Sequence, residues 1–282
     1  MTPGLGFALG AMLCFGAGDL IYKRAAAKGI QSGHFAMLQA WVFCPSVTLY
    51  AWLSGTLDPH ASALWGSLAG VFLLIAVYNF VESLKTGAVS TNAPIFRLNF
   101  TITVVFAVLL LGEVLTALKL AALACAIAAV WLLLAEPAAP NRAVSPGSLT
   151  RVLVATAAMG FANLFYKIGL LQGALPETII AAQAWAFCSL ATLLALVGDR
   201  GYRVPARAWP YAASAALVLA TGFVLLVHGL ALGSAGVLVP VAQMSFVITA
   251  LLGAFMFGET LNARKYAGLL VAAAALAFFA VS

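Results

Sequence analysis

A few polar side chains stand inside long apolar runs of this chain, and their types suit the recognition of a small solute. Asp19, Glu82, Arg97 and His228 are ionisable residues in stretches otherwise built from Leu, Val, Ala and Phe. Asn79, Asn99, Asn163, Gln243 and Ser245 add neutral donors and acceptors. A polar group in such surroundings is costly unless it faces protein or a water-filled cavity, so each is a candidate for function. Carboxylates suit an ammonium group, a guanidinium suits a carboxylate, and amides or hydroxyls suit either. Tyr78, Phe96, Trp185 and Phe246 could form an aromatic wall against an apolar side chain. Arg97 has a second reading, an ion pair with Glu82 or Asp19 that ties helices together. His228, the histidine deepest in an apolar run, could contact ligand or carry a proton.

Patterns for bond-making chemistry are missing. No phosphate-binding glycine loop stands before a Lys-Ser/Thr pair, so direct use of ATP is not expected. Three scattered histidines offer neither a His-Glu-x-x-His zinc set nor a nucleophile triad. Cys14, Cys44, Cys125 and Cys188 fall in apolar stretches at spacings that match no metal or disulfide framework. The sequence therefore predicts no enzyme, no cofactor and no metal.

The elements that must position these residues follow from composition. Charged residues are 8% of the 282 and hydrophobic ones 64%, with mean hydropathy +1.08. So few charges cannot clothe a soluble surface of this size. The net charge of +6 is spread over segment ends, which argues for membrane topology and against a nucleic-acid partner. A crossing helix needs about 20 mainly apolar residues. Ten spans can be marked, at 3–22, 33–53, 64–84, 88–111, 116–135, 149–170, 176–197, 208–230, 235–257 and 263–281. The weakest break, at Lys85-Thr86-Gly87, leaves nine spans as the competing count. The amino terminus lacks a basic leader, so the first run is expected to stay in the mature protein.

An internal repeat organises the spans. At an offset of 144 residues, Gly16, Tyr22-Lys23 and Gln39-Ala40-Trp41-Val42-Phe43-Cys44 fall on Gly160, Tyr166-Lys167 and Gln183-Ala184-Trp185-Ala186-Phe187-Cys188. At 146, Pro94 and Gly112-Glu113 fall on Pro240 and Gly258-Glu259. Two domains are expected, 1–136 and 149–282, each of five spans. Five is odd, so the second unit must enter the bilayer from the opposite side. Charge agrees: Lys23, Arg24 and Lys28 follow span one, while Arg200, Arg203 and Arg207 follow span seven, the counterpart of span two. The Lys/Arg excess on odd-numbered loops predicts both termini on the periplasmic side.

Six spans, one, three, four, six, eight and nine, are expected to line a central site, with spans five and ten peripheral. Pro94 and Pro240 predict paired bends and are hinge candidates. Glu113 and Glu259, next to glycines at span ends, are expected to cap or brace helices, and Gly66/Gly70, Gly6/Gly10 and Gly229/Gly233 to admit close helix approach.

The stretch closing each fourth span carries a resemblance. Pro94-Ile95 leads to Leu111-Gly112-Glu113-Val114-Leu115-Thr116, and Pro240-Val241 to Phe257-Gly258-Glu259-Thr260-Leu261-Asn262. This tandem pattern resembles the drug/metabolite transporter superfamily, EamA type, with Asn262 where Thr is usual. Phe15-Gly16-Ala17-Gly18-Asp19 and the Gln-Ala-Trp repeats are similar to its bacterial aromatic amino acid exporters. The resemblance implies an all-α fold, ten transmembrane helices as two inverted repeats around a cavity. It also implies a bacterial inner-membrane exporter of amino acids or related small metabolites working by alternating access; a multidrug carrier would use the same aromatic wall.

Overall fold

A computed structural model describes residues 2–28, 30, 32–58, 60–86, 89–134, 146–198, 206–257 and 262–282. Gly87, Arg142, Arg200, Arg203 and Gly258-Glu259, singled out above, lie outside the described residues, as do the side chains of Lys23 and Lys85.

Backbone donors and acceptors in hydrocarbon must be satisfied within the segment, and a helix does this for a continuous apolar run. The described residues form twelve α-helices and two short 3₁₀ turns. In chain order these are α1 (Leu5–Ala27), α2 (Ser32–Leu53), α3 (Leu64–Thr86), α4 (Val89–Arg97), α5 (Asn99–Leu111) and α6 (Ala117–Leu134), then α7 (Pro146–Leu171), α8 (Pro176–Gly198), α9 (Trp209–Leu232), α10 (Ala235–Gln243), α11 (Ser245–Phe257) and α12 (Ala263–Val281). Helices α4 with α5, and α10 with α11, are single spans broken in two, so the twelve make ten crossings. Nine crossings are ruled out by Asn92, whose Nδ2 donates to the Ser83 carbonyl at 3.0 Å. In one straight helix those residues would be about 13 Å apart.

Both breaks fall four residues after a proline. Pro94 precedes the turn at Leu98, and Pro240 the turn at Met244. Proline cannot donate to the helix ladder, and its ring crowds the carbonyl four residues back. The repair is local: Met244 N–H bonds the Pro240 and Val241 carbonyls, and Thr156 Oγ1 takes the Ile95 carbonyl. The next spans start on matched caps. The Lys119 N–H donates to Thr116 Oγ1 at 3.2 Å and the Lys265 N–H to Asn262 Oδ1 at 2.9 Å. Asn for Thr at the second site is chemically equivalent, since both accept well at a helix start.

The two units pack into each other. Helix α1 lies on α9, α10 and α11, and its counterpart α7 lies on α3, α4 and α5. Lipid tails give apolar helices no net drive to associate, so close contact at small residues must supply it. The contacts recur in both units. A Cβ at Gly16 would sit 2.6 Å from Ile248 Cβ, and one at Gly160 would sit 2.5 Å from Ile102 Cβ. Gly66 and Gly70 press on the Ile179 and Gln183 carbonyls of α8, and Gly233 on the Pro3 carbonyl. Gly6 differs from expectation: nothing lies near it. Helices α6 and α12 pack on one another at the periphery, and α10 is buried along its whole length.

Candidate functional site

A cavity of about 190 Å³ lies between the units, and its walls repeat with the sequence. Helix α2 contributes Gln39, Ala40 and Phe43, and α8 contributes Gln183, Ala184 and Phe187, the same three positions. Leu73 and Val77 of α3 match Leu219 and Phe223 of α9, Phe15 of α1 matches Met159 of α7, and Arg97 of α4 matches Gln243 of α10. A void on the repeat axis is the expected result of inverted units meeting face to face. Phe96, Leu226, Asp19 and Tyr22 complete it. On α1, Phe15, Asp19 and Tyr22 follow i, i+4, i+7 spacing and so form one stripe.

Charge enters the cavity from one unit only. Arg97 closes α4, where the helix dipole favours a cation, and its Nη2 meets Asp19 Oδ2 at 2.5 Å. Asp19 Oδ2 also accepts from Thr249 Oγ1 at 3.0 Å, and Arg97 Nη1 donates to Ser245 Oγ at 3.2 Å. The two charged side chains keep 28% and 21% of their surface open, so the pair faces the void and is not sealed in protein. In the other unit the matching positions are neutral. Asn163 donates to Asn99 Oδ1 at 3.5 Å, and Thr103 Oγ1 to the Gly160 carbonyl at 3.0 Å. Asn99 and Asn163 are thus buried ties between α5 and α7 and do not line the cavity. Of the two partners open to Arg97 in the sequence, the fold selects Asp19.

The remaining candidates are placed elsewhere. Helix α3 turns Leu73 and Val77 to the void. Tyr78 therefore points outward, half exposed, and Asn79 meets Arg151 Nη1 at 3.4 Å. Glu82, one turn beyond Tyr78, is partly buried outside the cavity wall. Trp185 is 53% exposed on the outer face of α8, its Nε1 donating to Thr48 Oγ1 of α2 at 3.1 Å. Phe246 is buried in the core. His228 Nε2 sits 3.0 Å from Glu177 Oε1 at the start of α8, and its ring stacks on Phe7. These placements correct the expected lining for one reason. Lipid and an apolar cavity select the same side chains, so periodicity does not say which way a helix is rotated. Asp19, Phe96, Arg97 and Gln243 line the cavity, and Ser245 reaches it through Arg97.

Sequence reasoning passed over spans two and seven, and with them Gln39 and Gln183. Their signal was in the Gln-Ala-Trp repeat. Residues two apart on a helix point about 200° apart, so with Trp41 and Trp185 on the outside each Gln points inward.

One end of the cavity is closed by two charges. Glu113, set just past the left-handed Gly112 (φ 67°) that stops α5, accepts the Ala235 N–H at 2.7 Å and the Gly236 N–H at 2.9 Å. It caps α10 across the unit boundary, satisfying amides that begin any helix unpaired. Lys167 Nζ donates to the Leu230 and Gly233 carbonyls, both at 2.7 Å, at the end of α9. The α9–α10 joint is therefore held by an anion on one side and a cation on the other. The bracing role expected of Glu113 is what the geometry gives it.

The comparisons with known proteins agree with this architecture. The family model of the EamA-like transporters matches twice, over residues 2–135 and 148–281. An uncharacterized transporter from the cobO 3′ region of a Sinorhizobium species is 25% identical over 131 residues, 46% of this chain and 93% of that protein. A protein of known crystal structure superposes with a TM-score of 0.83 at 15% identity, covering 99% of this chain and 96% of the other; at that identity the likeness concerns the fold. The chain belongs to the EamA-like transporter family.

Proposed function

We propose that this EamA-like transporter exports aromatic or other hydrophobic amino acids, and related small metabolites, by alternating access across a bacterial inner membrane. Units 1–136 and 149–282 rock against each other about the cavity. The helix breaks after Pro94 and Pro240 absorb the bending, and both termini are periplasmic. The observation that carries the reading is the Asp19–Arg97 pair set against Phe15, Phe43, Phe96, Phe187 and Phe223 in one void. Opposite charges side by side suit the two ends of a zwitterion, and aromatic faces suit an apolar side chain. The size of the cavity favours this cargo over a drug. About 190 Å³ falls below the roughly 300–1,000 Å³ of pockets for drug-sized ligands.

Proteoliposomes loaded with radiolabelled phenylalanine, threonine or a cationic dye separate the readings. Saturable amino-acid flux that unlabelled phenylalanine inhibits is expected. Dye flux without amino-acid flux would overturn the reading in favour of a multidrug carrier.

A further inference from the structure

The repeat places a tyrosine and a glutamine at matching positions of each unit, Tyr22 with Gln39 and Tyr166 with Gln183. In the first unit the pair is closed, the Tyr22 hydroxyl donating to Gln39 Oε1. In the second unit the same two groups are apart. The Tyr166 hydroxyl and Gln183 Oε1 are both buried, and neither has a hydrogen-bond partner. The residues are 1% and 2% exposed, so water does not replace the missing bond.

Unpaired buried oxygens are rare because losing water without gaining a partner is costly, and a carbonyl oxygen so placed is poised for an incoming donor. Gln183 stands in the cavity wall on the same face as Phe187. Its position is rigid, since Gly70 of α3 packs on its carbonyl so closely that a Cβ there would sit 2.4 Å from it. Gln39 offers no equivalent acceptor, because the Tyr22 hydroxyl already occupies its oxygen. The two-fold cavity thus carries one quenched amide and one open one.

We infer that Gln183 determines specificity, its Oε1 accepting an N–H from the ammonium group of the bound amino acid. The inference rests on the reading of the cargo as a zwitterion and assigns one end of it. Arg97 and Asp19 supply fixed charge, and Gln183 supplies a neutral acceptor that only a donor-bearing ligand satisfies. A site built to hydrogen-bond a ligand group discriminates strongly against analogues that lack it.

The test uses the purified full-length chain in lipid nanodiscs, with radiolabelled phenylalanine displaced by phenethylamine, which keeps the ammonium, or by 3-phenylpropionate, which lacks it. The wild-type chain is expected to prefer phenethylamine. Gln183→Met should weaken phenylalanine and phenethylamine about tenfold and leave 3-phenylpropionate unchanged, as for loss of one hydrogen bond to a charged group. Gln183→Glu, which keeps an acceptor, should restore binding, and Gln39→Met should leave the preference intact. Unchanged phenylalanine affinity in Gln183→Met, or an equal loss for all three ligands, overturns the inference while the zwitterion reading stands. Equal wild-type affinity for the two analogues overturns it with no variant needed. A wild-type chain that binds none of the three overturns the reading beneath it as well.

Discussion

Replacing Glu113 by Gln should loosen the α9–α10 joint and open the cavity at that end. The carboxylate accepts two backbone N–H groups at 2.7 and 2.9 Å from the first turn of a fully buried helix. Ser234, the residue at the cap position, takes no part, and its hydroxyl has no partner. Gln keeps one acceptor, so one buried N–H is left unpaired, a loss of about 1–3 kcal/mol. Removing the anion from a helix start adds about 0.3–1 kcal/mol. Glu113 is partly exposed, so the lower part of the combined range applies, about 2 kcal/mol, or roughly a 30-fold rise in the open fraction. The assay is alkylation of a cysteine at Leu226, a buried cavity residue on α9, in a background where Cys14, Cys44, Cys125 and Cys188 are replaced by Ser. An impermeant maleimide is applied from the face carrying Glu113. When opening and closing are fast relative to labelling, the rate tracks the open population. Lys167→Met, which removes the cation from the Leu230 and Gly233 carbonyls, should act in the same direction. The double variant should depart from additivity, because both residues hold one joint. Labelling that stays at the Leu226→Cys baseline in Glu113→Gln would refute the bracing role, and strictly additive effects would refute the shared joint.

Three further outcomes are expected. Asp19→Asn leaves the Arg97 guanidinium without its carboxylate at the cavity wall and should lower amino-acid counterflow more than tenfold. Asp19→Asn with Arg97→Gln should melt in detergent at a higher temperature than either single variant, since it strands no charge. Gly160→Ala forces a Cβ to within 2.5 Å of Ile102 Cβ and should cost about 1–3 kcal/mol of stability. Ile102→Ala should recover part of that in the same melting experiment. Cysteines at the repeat-matched positions Ala117 and Ala263 should label with an impermeant reagent from opposite faces of the membrane; labelling from one face would contradict the inverted arrangement.

Much of the architecture is legible in the sequence because it follows from solvent alone. A chain with 8% charge and ten apolar runs must satisfy its backbone in lipid, and helices of bilayer length do that wherever the runs lie. The repeat, with an odd number of spans per unit, then forces inversion. Pro94 and Pro240 announce their breaks, and Gly112-Glu113 announces a helix end with an anion to spare. Rotation of each helix about its axis was left open, and that rotation decides function. Tyr78, Trp185 and Phe246 are as fit for a cavity wall as Phe43 and Phe223, because lipid, core and an apolar void reward the same side chains. Tertiary packing broke the tie. The close seats at Gly16, Gly160, Gly66 and Gly70 fix how α1, α7 and α3 are turned, and so send Asp19, Val77 and Gln183 inward while Tyr78 and Trp185 meet the outside. The choice of Asp19 over Glu82 as the partner of Arg97, and the open amide of Gln183 beside the quenched one of Gln39, arise only when the two units interlock. Each depends on a distance between helices that no spacing along the chain specifies.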